Sequence, residues 1–395
     1  MIAIDATKDI MSKLVAVSEY LDTLKALRYE FTVNECDNTI EVNGALMDDL
    51  IMSEIRARMR AEGYTSGEAV QDAVFMVARM NRYHPVRRYL SDLHWDGGEH
   101  IKKLASYFSD TTPPQPMFDI WLRKWLIGAV ARAVLDGEQN PMLVLDGPQG
   151  IGKSWFAKWL CSPLPKMFVE SRVDPDDKDH YIRLASNWIW EVAELGATTR
   201  HADQEALKAF ISMRVIKVRR AYGRFDMVKP ALANLIGTVN NDAGLLGDKT
   251  GNRRFLICKI DKVNWNYDTE VDVNQVWAEA HEAWLHGETP ALTEAERQCA
   301  EATNDQYKIP DTAEGLLVKL FDIDPDNTLW WTPSSDVTLA MEANGLRGGT
   351  SRGNSMEIAS TLTAMGVRKE RRLVNGHNVH GYVGVQIRPL AWMIP

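Results

Sequence analysis

The chain has 395 residues, 45% of them hydrophobic and 25% charged, with 26 glycines and 16 prolines. This is the composition of an ordinary globular protein of two or three domains. A formal net charge of −9 excludes a uniformly basic surface but leaves room for a local basic element. Cys36, Cys161, Cys258 and Cys299 form no CxxC pair, so neither a zinc site nor a disulfide framework is expected. No apolar run approaches the roughly 20 residues of a membrane span, and MIAIDATKDIMSK lacks the basic start and apolar stretch of a signal peptide. The expectation is a reducing, cytoplasmic setting with no membrane partner.

Helical spacing covers residues 8–28, followed by a hairpin-like stretch from Tyr29 to Val42 that turns at Asp37-Asn38. Residues 47–82 return to helical spacing, with Met47, Leu50, Ile51, Ile55 and Met59 read as one face. The segment 83–100, YHPVRRYLSDLHWDGGEH, reads as a structured connector. Residues 117–137 predict an apolar helix ending at Gly137.

Pro141–Asp146 is a short apolar run of the kind found in buried parallel strands. A glycine loop and a helix from Trp155 to Leu160 follow it. Asn187–Ala193, Leu235–Val239 and Phe255–Ile260 are further buried strand candidates, so an α/β core is predicted over about 138–262. Residues 275–305 are again helical in spacing. The tail from Asp311 predicts helices at 313–321, 335–344 and 353–365. A strand pair follows, Arg371–Val374 and Val379–Val385, joined by Asn375-Gly376. Three short helices and a hairpin are the outline of a winged-helix-like module.

Gly147-Pro148-Gln149-Gly150-Ile151-Gly152-Lys153-Ser154 matches G-x-x-x-x-G-K-[ST] in full, with a strand before and a helix after. Glycines let backbone N–H groups close around phosphate oxygens. The helix N-terminus adds its dipole. The candidate nucleotide contacts are Gly147, Gln149, Gly150, Gly152, Lys153 and Ser154. Lys153 is predicted on the β/γ-phosphates of ATP and Ser154 on Mg²⁺. Glu191 and Glu194 stand at or just beyond the end of an apolar strand, the edge where α/β sheets bind ligands. Glu191 is the candidate for Mg²⁺ and Glu194 for polarising water, with the two roles exchangeable. Asn240, just past another strand, is placed to hold the attacking water or the γ-phosphate.

With these residues assembled, the chain resembles the virulence-associated E family, phage- and mobile-element-borne P-loop proteins related to superfamily 3 helicases. The resemblance is carried in order by YHPVRRYLSDLHWDG, WLIGAVARAVLDG, MLVLDGPQGIGKSWF, NWIWEVAEL, ALKAFISMRVIKVRRAYGR, LIGTVNN and GDKTGNRRF, spanning about 83–260. It implies an AAA+ P-loop core, with Lys153 and Ser154 as Walker A residues, Glu191 and Glu194 as Walker B acids, and Asn240 as sensor. Arg253 and Arg254 match the family's paired arginines, one of them reaching the γ-phosphate of a neighbouring subunit, as suits a guanidinium. The resemblance thins before residue 30 and after about 310; with the element order read above, the expected division is a mainly helical N-terminal domain with a small hairpin (1–110), an ATPase domain (111–308) with flanking helices and a winged-helix-like domain (309–395).

Between Lys208 and Arg224 there are six basic residues and no acid. Alternation sets Val215, Lys217 and Arg219 on one face of a strand and Ile216, Val218 and Arg220 on the other, with a turn at Ala221-Tyr222-Gly223. Superfamily 3 helicases place a channel hairpin at this position. Lys217, Arg219, Arg220 and Arg224 are the candidate phosphate contacts, and Tyr222 the candidate base-stacking residue. Lys208 matches a family lysine and is an alternative support for the nucleotide site. Between Arg347 and Arg388, seven Lys or Arg stand against Glu357 and Glu370, which reads either as a second candidate DNA surface or as a protein–protein contact. The implied function is an ATP-dependent helicase or replication initiator of a phage or mobile element. It would act as a homo-oligomeric ring, a hexamer, on single-stranded or forked DNA, with origin DNA and a separate primase as further partners. Two other functions fit the same residues: a DNA-binding ATP switch such as an origin marker or loader, and an interaction protein that interferes with another replicon.

Overall fold

An asparagine in the left-handed region (Asn38, φ 55°) turns the first extended stretch back on itself. It joins β1 (Phe31–Asn34) to β2 (Ile40–Val42) in antiparallel register, Phe31 opposite Val42. The computed structural model describes residues 18–174, 177–193, 195, 207–218, 226–240, 252–307, 312–343, 346, 351–374 and 376–388. The protein is mixed α/β and divides into two compact units, one of the described residues up to Asp305 and one of those from Gln306 onward.

In the first unit, β3 (Ala45–Leu46) extends the small sheet before α1 (Asp49–Ala61) and α2 (Gly67–Met80), and β4 (Arg82–Tyr83) returns parallel to β1. The helical pattern over 47–82 is thus two helices. Asp48 caps the first by accepting from the Ile51 N–H at 2.7 Å, and Ser66 caps the second by accepting from the Ala69 N–H at 3.2 Å. Gly63, at φ 96°, breaks the chain between them. The buried stripe of α1 is Met52, Ile55 and Met59. Leu50, read from spacing as part of that face, is 80% exposed. It lies about 200° around the helix from Met52, while Met47 precedes the cap.

The main body follows as α3 (Pro85–Ser91), α4 (His100–Ala105), β5 (Phe108–Asp110), α5 (Phe118–Val134), β6 (Met142–Asp146), α6 (Lys153–Leu160), β7 (Phe168–Glu170), α7 (Lys178–Ser186) and β8 (Ile189–Val192). Then come β9 (Val215–Val218), β10 (Met227–Pro230), β11 (Asn234–Val239), β12 (Phe255–Val263), α8 (Tyr267–Glu270), α9 (Val273–Leu285) and α10 (Glu294–Gln306). Six strands make one sheet in the order β5-β12-β6-β11-β8-β7, parallel throughout except for β5. β6, β8 and β11 are buried along their whole length, which is why they read as unbroken apolar runs. The sheet also takes an edge strand from residues 108–110, too short to show in the pattern.

α5 is buried on nearly all sides, with Trp121 and Trp125 inside, and Trp188 packs on Trp277 at 4.1 Å between ring centroids. One polar contact ties the layers together. The Asn140 amide donates to the Trp125 carbonyl at 2.9 Å and to Asn234 Oδ1 at 3.0 Å, joining α5 to the entries of β6 and β11. Gly128 makes room for it, because a Cβ there would fall 2.1 Å from Asn140 Oδ1.

The second unit contains α11 (Thr312–Leu320), β13 (Phe321–Ile323), β14 (Trp331–Pro333), α12 (Ser334–Ala343), α13 (Ser351–Ala364), β15 (Arg368–Val374), β16 (His377–Val383) and β17 (Val385–Ile387). Its core joins Leu317, Phe321, Val337, Met341, Ile358, Leu362 and Val385. β15 and β16 form a hairpin seven residues long on each side, with Gly376 at φ 81° in its turn. No helix among the described residues is long and apolar enough to cross a membrane. Gly128→Ala is expected to lower the unfolding free energy by about 1–3 kcal/mol, since the buried Asn140 amide has nowhere to swing; chemical denaturation of the two proteins checks it.

Candidate nucleotide-binding site

Strand β6 ends at Asp146, and the chain turns at once into the glycine loop. Gly147 is obligatory on steric grounds: a Cβ would sit 2.0 Å from the Ile260 carbonyl oxygen of neighbouring β12. Gly150 and Gly152 take φ of 82° and 106°, which L side chains rarely adopt. Gln149 is exposed on the loop. Helix α6 starts at Lys153, so its first-turn N–H groups, which have no partners within the helix, open toward the loop.

The strand order decides what meets this loop. Because β11 lies between β6 and β8 and all three run parallel, their C-terminal ends collect Lys153, Ser154, Glu191 and Asn240 in one place. The buried Lys153 ammonium donates to the carbonyls of Gly147 at 2.6 Å and Pro148 at 2.8 Å, and to Asn240 Oδ1 at 3.1 Å. Burial pulls its pKa down, and the Asp146 carboxylate at the strand end pulls the other way. The Ser154 hydroxyl donates to Glu191 Oε1 at 2.7 Å, and the Thr238 hydroxyl donates to the same oxygen at 2.8 Å.

Glu191 is fully buried, and its second oxygen, Oε2, has no hydrogen-bond partner among the described residues. Burial pushes its pKa above the usual carboxylate value. The bonds from Ser154 and Thr238 oppose that rise, and Glu170, directly opposite on β7, adds to it. A buried carboxylate with one free oxygen beside a serine hydroxyl is a hard-oxygen donor set of the sort Mg²⁺ takes. Thr238 went unread in the sequence. The signal was the period of two in LIGTVN, which sets Thr238 and Asn240 on one face. Glu194 lies outside the described residues.

The arginines sit elsewhere. Phe255 pairs with Met142 and Lys259 with Asp146, so Arg253 and Arg254 stand at the N-terminal end of the parallel strands. Five residues of strand, about 16 Å, separate them from the level of the glycine loop. The Arg254 Nε donates to the Ser212 hydroxyl, and both arginines line a cavity of about 820 Å³ together with Arg214 and Glu288.

The basic stretch forms the antiparallel pair β9–β10, with Lys217 opposite Val228. Alternation holds over the described part: Ile216 is buried, while Val215, Lys217 and Val228 are exposed. Lys217 faces an acid just beyond the stretch, Asp226, at 3.7 Å. Lys208 is buried on the helical turn at 207–211. Arg219, Arg220, Tyr222 and Arg224 lie outside the described residues.

These features define an α/β protein with a phosphate-type glycine loop between a central strand and its helix. The model of the virulence-associated protein E-like domain matches residues 90–309, more than half of the chain, and the chain belongs to that family. Among solved structures, the apo C-terminal region (305–718) of NrS-1 is similar in fold. It is 14% identical with a TM-score of 0.51, over 93% of this chain and 98% of that one. An A-form apo structure of the same region is 13% identical with a TM-score of 0.48, over 92% and 98%. No curated protein matches the chain.

The raised pKa of Glu191 sets a pH signature. The folded protein holds this proton above the pH at which the unfolded chain releases it, near 4.3. Stability attributable to Glu191 is therefore present below that pH and is lost as pH rises through the higher folded value. Thermal unfolding of wild type and Glu191→Gln between pH 4 and 8 is expected to show the variant gaining on the wild type as pH increases. Parallel curves would contradict the assignment.

Proposed function

We propose that the chain is an AAA+ ATPase that works as a ring on DNA, a helicase or replication initiator of a phage or mobile element. The observation that carries the reading is the meeting of Lys153, Ser154, Glu191 and Asn240 at one strand edge around a glycine loop. In it, the triphosphate of ATP lies along the loop N–H groups. Lys153 exchanges its loop carbonyls for β/γ-phosphate oxygens, and Asn240, already bonded to Lys153, orients the γ-phosphate or the attacking water. Ser154 and the free oxygen of Glu191 would hold Mg²⁺, which neutralises phosphate charge as the bond to the leaving group breaks. Glu194, three residues on in the sequence, is the proposed residue for polarising the attacking water, its role exchangeable with that of Glu191.

The distance of Arg253 and Arg254 from their own loop supports a shared site. From the opposite edge of the sheet they suit the nucleotide of a neighbouring subunit, so hydrolysis would require a ring, for which six copies is the proposed number. The β9–β10 pair, with Lys217 exposed, is the proposed track for single-stranded DNA. The second unit, three helices and a basic hairpin, is the proposed winged-helix-like contact for origin DNA, with a separate primase as a further partner.

Purified protein is expected to hydrolyse ATP faster with single-stranded DNA and to unwind a forked duplex. Hydrolysis without unwinding would favour an ATP switch. Lys153→Ala is expected to lower turnover by 100-fold or more, and so is the double change Arg253→Ala with Arg254→Ala, as an arginine supplied between subunits is worth about 10³–10⁵ in rate. Mixing these two inactive proteins pairs an intact loop with intact arginines at some interfaces. It is expected to restore part of the activity, whereas arginines acting within their own subunit would leave the mixture dead.

A further inference from the structure

The site has a direction, set by which strands contribute to it. Lys153 reaches Asn240 at the end of β11, and Ser154 reaches Glu191 on β8. Both belong to the flank of β6 that would take the γ-phosphate and the metal ion. A nucleoside triphosphate laid along the loop must then present its base on the opposite flank, where β12 lies next to β6. Trp265 stands there, two residues past the end of β12, and its ring lies against the glycine loop. A Cβ on Gly152 would come 2.7 Å from the indole Cζ2.

Despite that contact the side chain is 48% exposed, which leaves ring surface open beside the loop. Its backbone is fixed on both sides. The Asn264 N–H donates to the Tyr107 carbonyl at 2.8 Å, Asn264 Oδ1 accepts from the Asn266 N–H at 3.1 Å, and the Trp265 carbonyl accepts from the Asp268 N–H at 3.1 Å. Tyr107 is itself tied to Glu270 through its hydroxyl at 2.6 Å. A large aromatic held in a tight turn, half in water, next to a phosphate loop is a stacking platform with little left to order on binding.

We propose that Trp265 is the base-stacking residue of the nucleotide site and that the ligand class is a purine nucleoside triphosphate. The inference rests on the glycine loop being a nucleotide site. Stacking on an indole tolerates any base but gains most from the larger purine face, so the preference is for ring size over hydrogen-bond pattern. Trp265 is a binding residue, touching the base and not the reacting phosphate.

Calorimetric titration of the full chain with Mg²⁺ and ATP, UTP or tripolyphosphate tests it. Wild type is expected to bind ATP more tightly than UTP. Trp265→Ala is expected to weaken ATP by about tenfold and to leave tripolyphosphate unchanged, while Trp265→Phe retains most of the ATP affinity. Equal ATP affinity in wild type and Trp265→Ala would overturn the proposal. So would an equal loss for ATP and tripolyphosphate, which would assign Trp265 to the shape of the loop instead. Binding of none of the three by wild type would overturn the glycine-loop reading itself, a result distinct from either. Thermal unfolding of both variants separates a lost contact from a lost fold.

Discussion

A single oxygen, Glu191 Oε1, receives hydroxyl hydrogens from two directions: Ser154 at the start of α6 and Thr238 on β11. The candidate site depends on this meeting. A carboxylate is costly to bury unless its oxygens are satisfied, and here one oxygen is doubly satisfied while the other has no hydrogen-bond partner among the described residues. The fold tolerates that cost because β8 is flanked on both sides by parallel strands that hold Glu191 in register. The same register brings Asn240 to the Lys153 ammonium. Local instability at one carboxylate and order at the whole strand edge are thus two sides of one arrangement.

The edge is held from behind by apolar weight. Trp121, Trp125, Trp188 and Trp277 lie fully buried under the sheet, and Asn140 pins α5 to the entries of β6 and β11 by two hydrogen bonds. Interiors packed to this degree transmit small displacements instead of absorbing them. Lys217 meets Asp226 at the start of the β9–β10 pair, so the basic strand is partly screened from within its own hairpin.

Much of the fold was legible because its strands are buried on both faces. MLVLD, NWIWEVA and LIGTV carry no alternation to confuse with a surface strand, and each contains or lies within a buried strand of the sheet. The glycine loop was equally legible, since Gly147 is required by the Ile260 carbonyl and the two later glycines by their positive φ. Less legible were features whose cause lies outside the local window. The break at Gly63 that makes two helices of one pattern, the exposure of Leu50 and the three-residue strand β5 each depend on a cap or on a pairing partner distant in sequence. Thr238 is of the same kind, an ordinary strand threonine until β8 is laid beside it.

The sequence by itself determined the chemistry available: a phosphate-type loop, two acids at a strand end, an asparagine past another strand, a pair of arginines and a basic segment. Those residue types are the ones that phosphate, metal ions and nucleic acid would require of their partners, which is the ground of the proposed function. Only the tertiary structure decided which of them share a site. Inserting β11 between β6 and β8 unites Lys153, Ser154, Thr238, Glu191 and Asn240. Placing Arg253 and Arg254 before β12 sends them to the far edge, and carrying β12 past the loop sets Trp265 against Gly152. The physical reason is that side-chain chemistry is local, whereas strand order and register, fixed by pairings between segments far apart in the chain, determine which edge each side chain reaches.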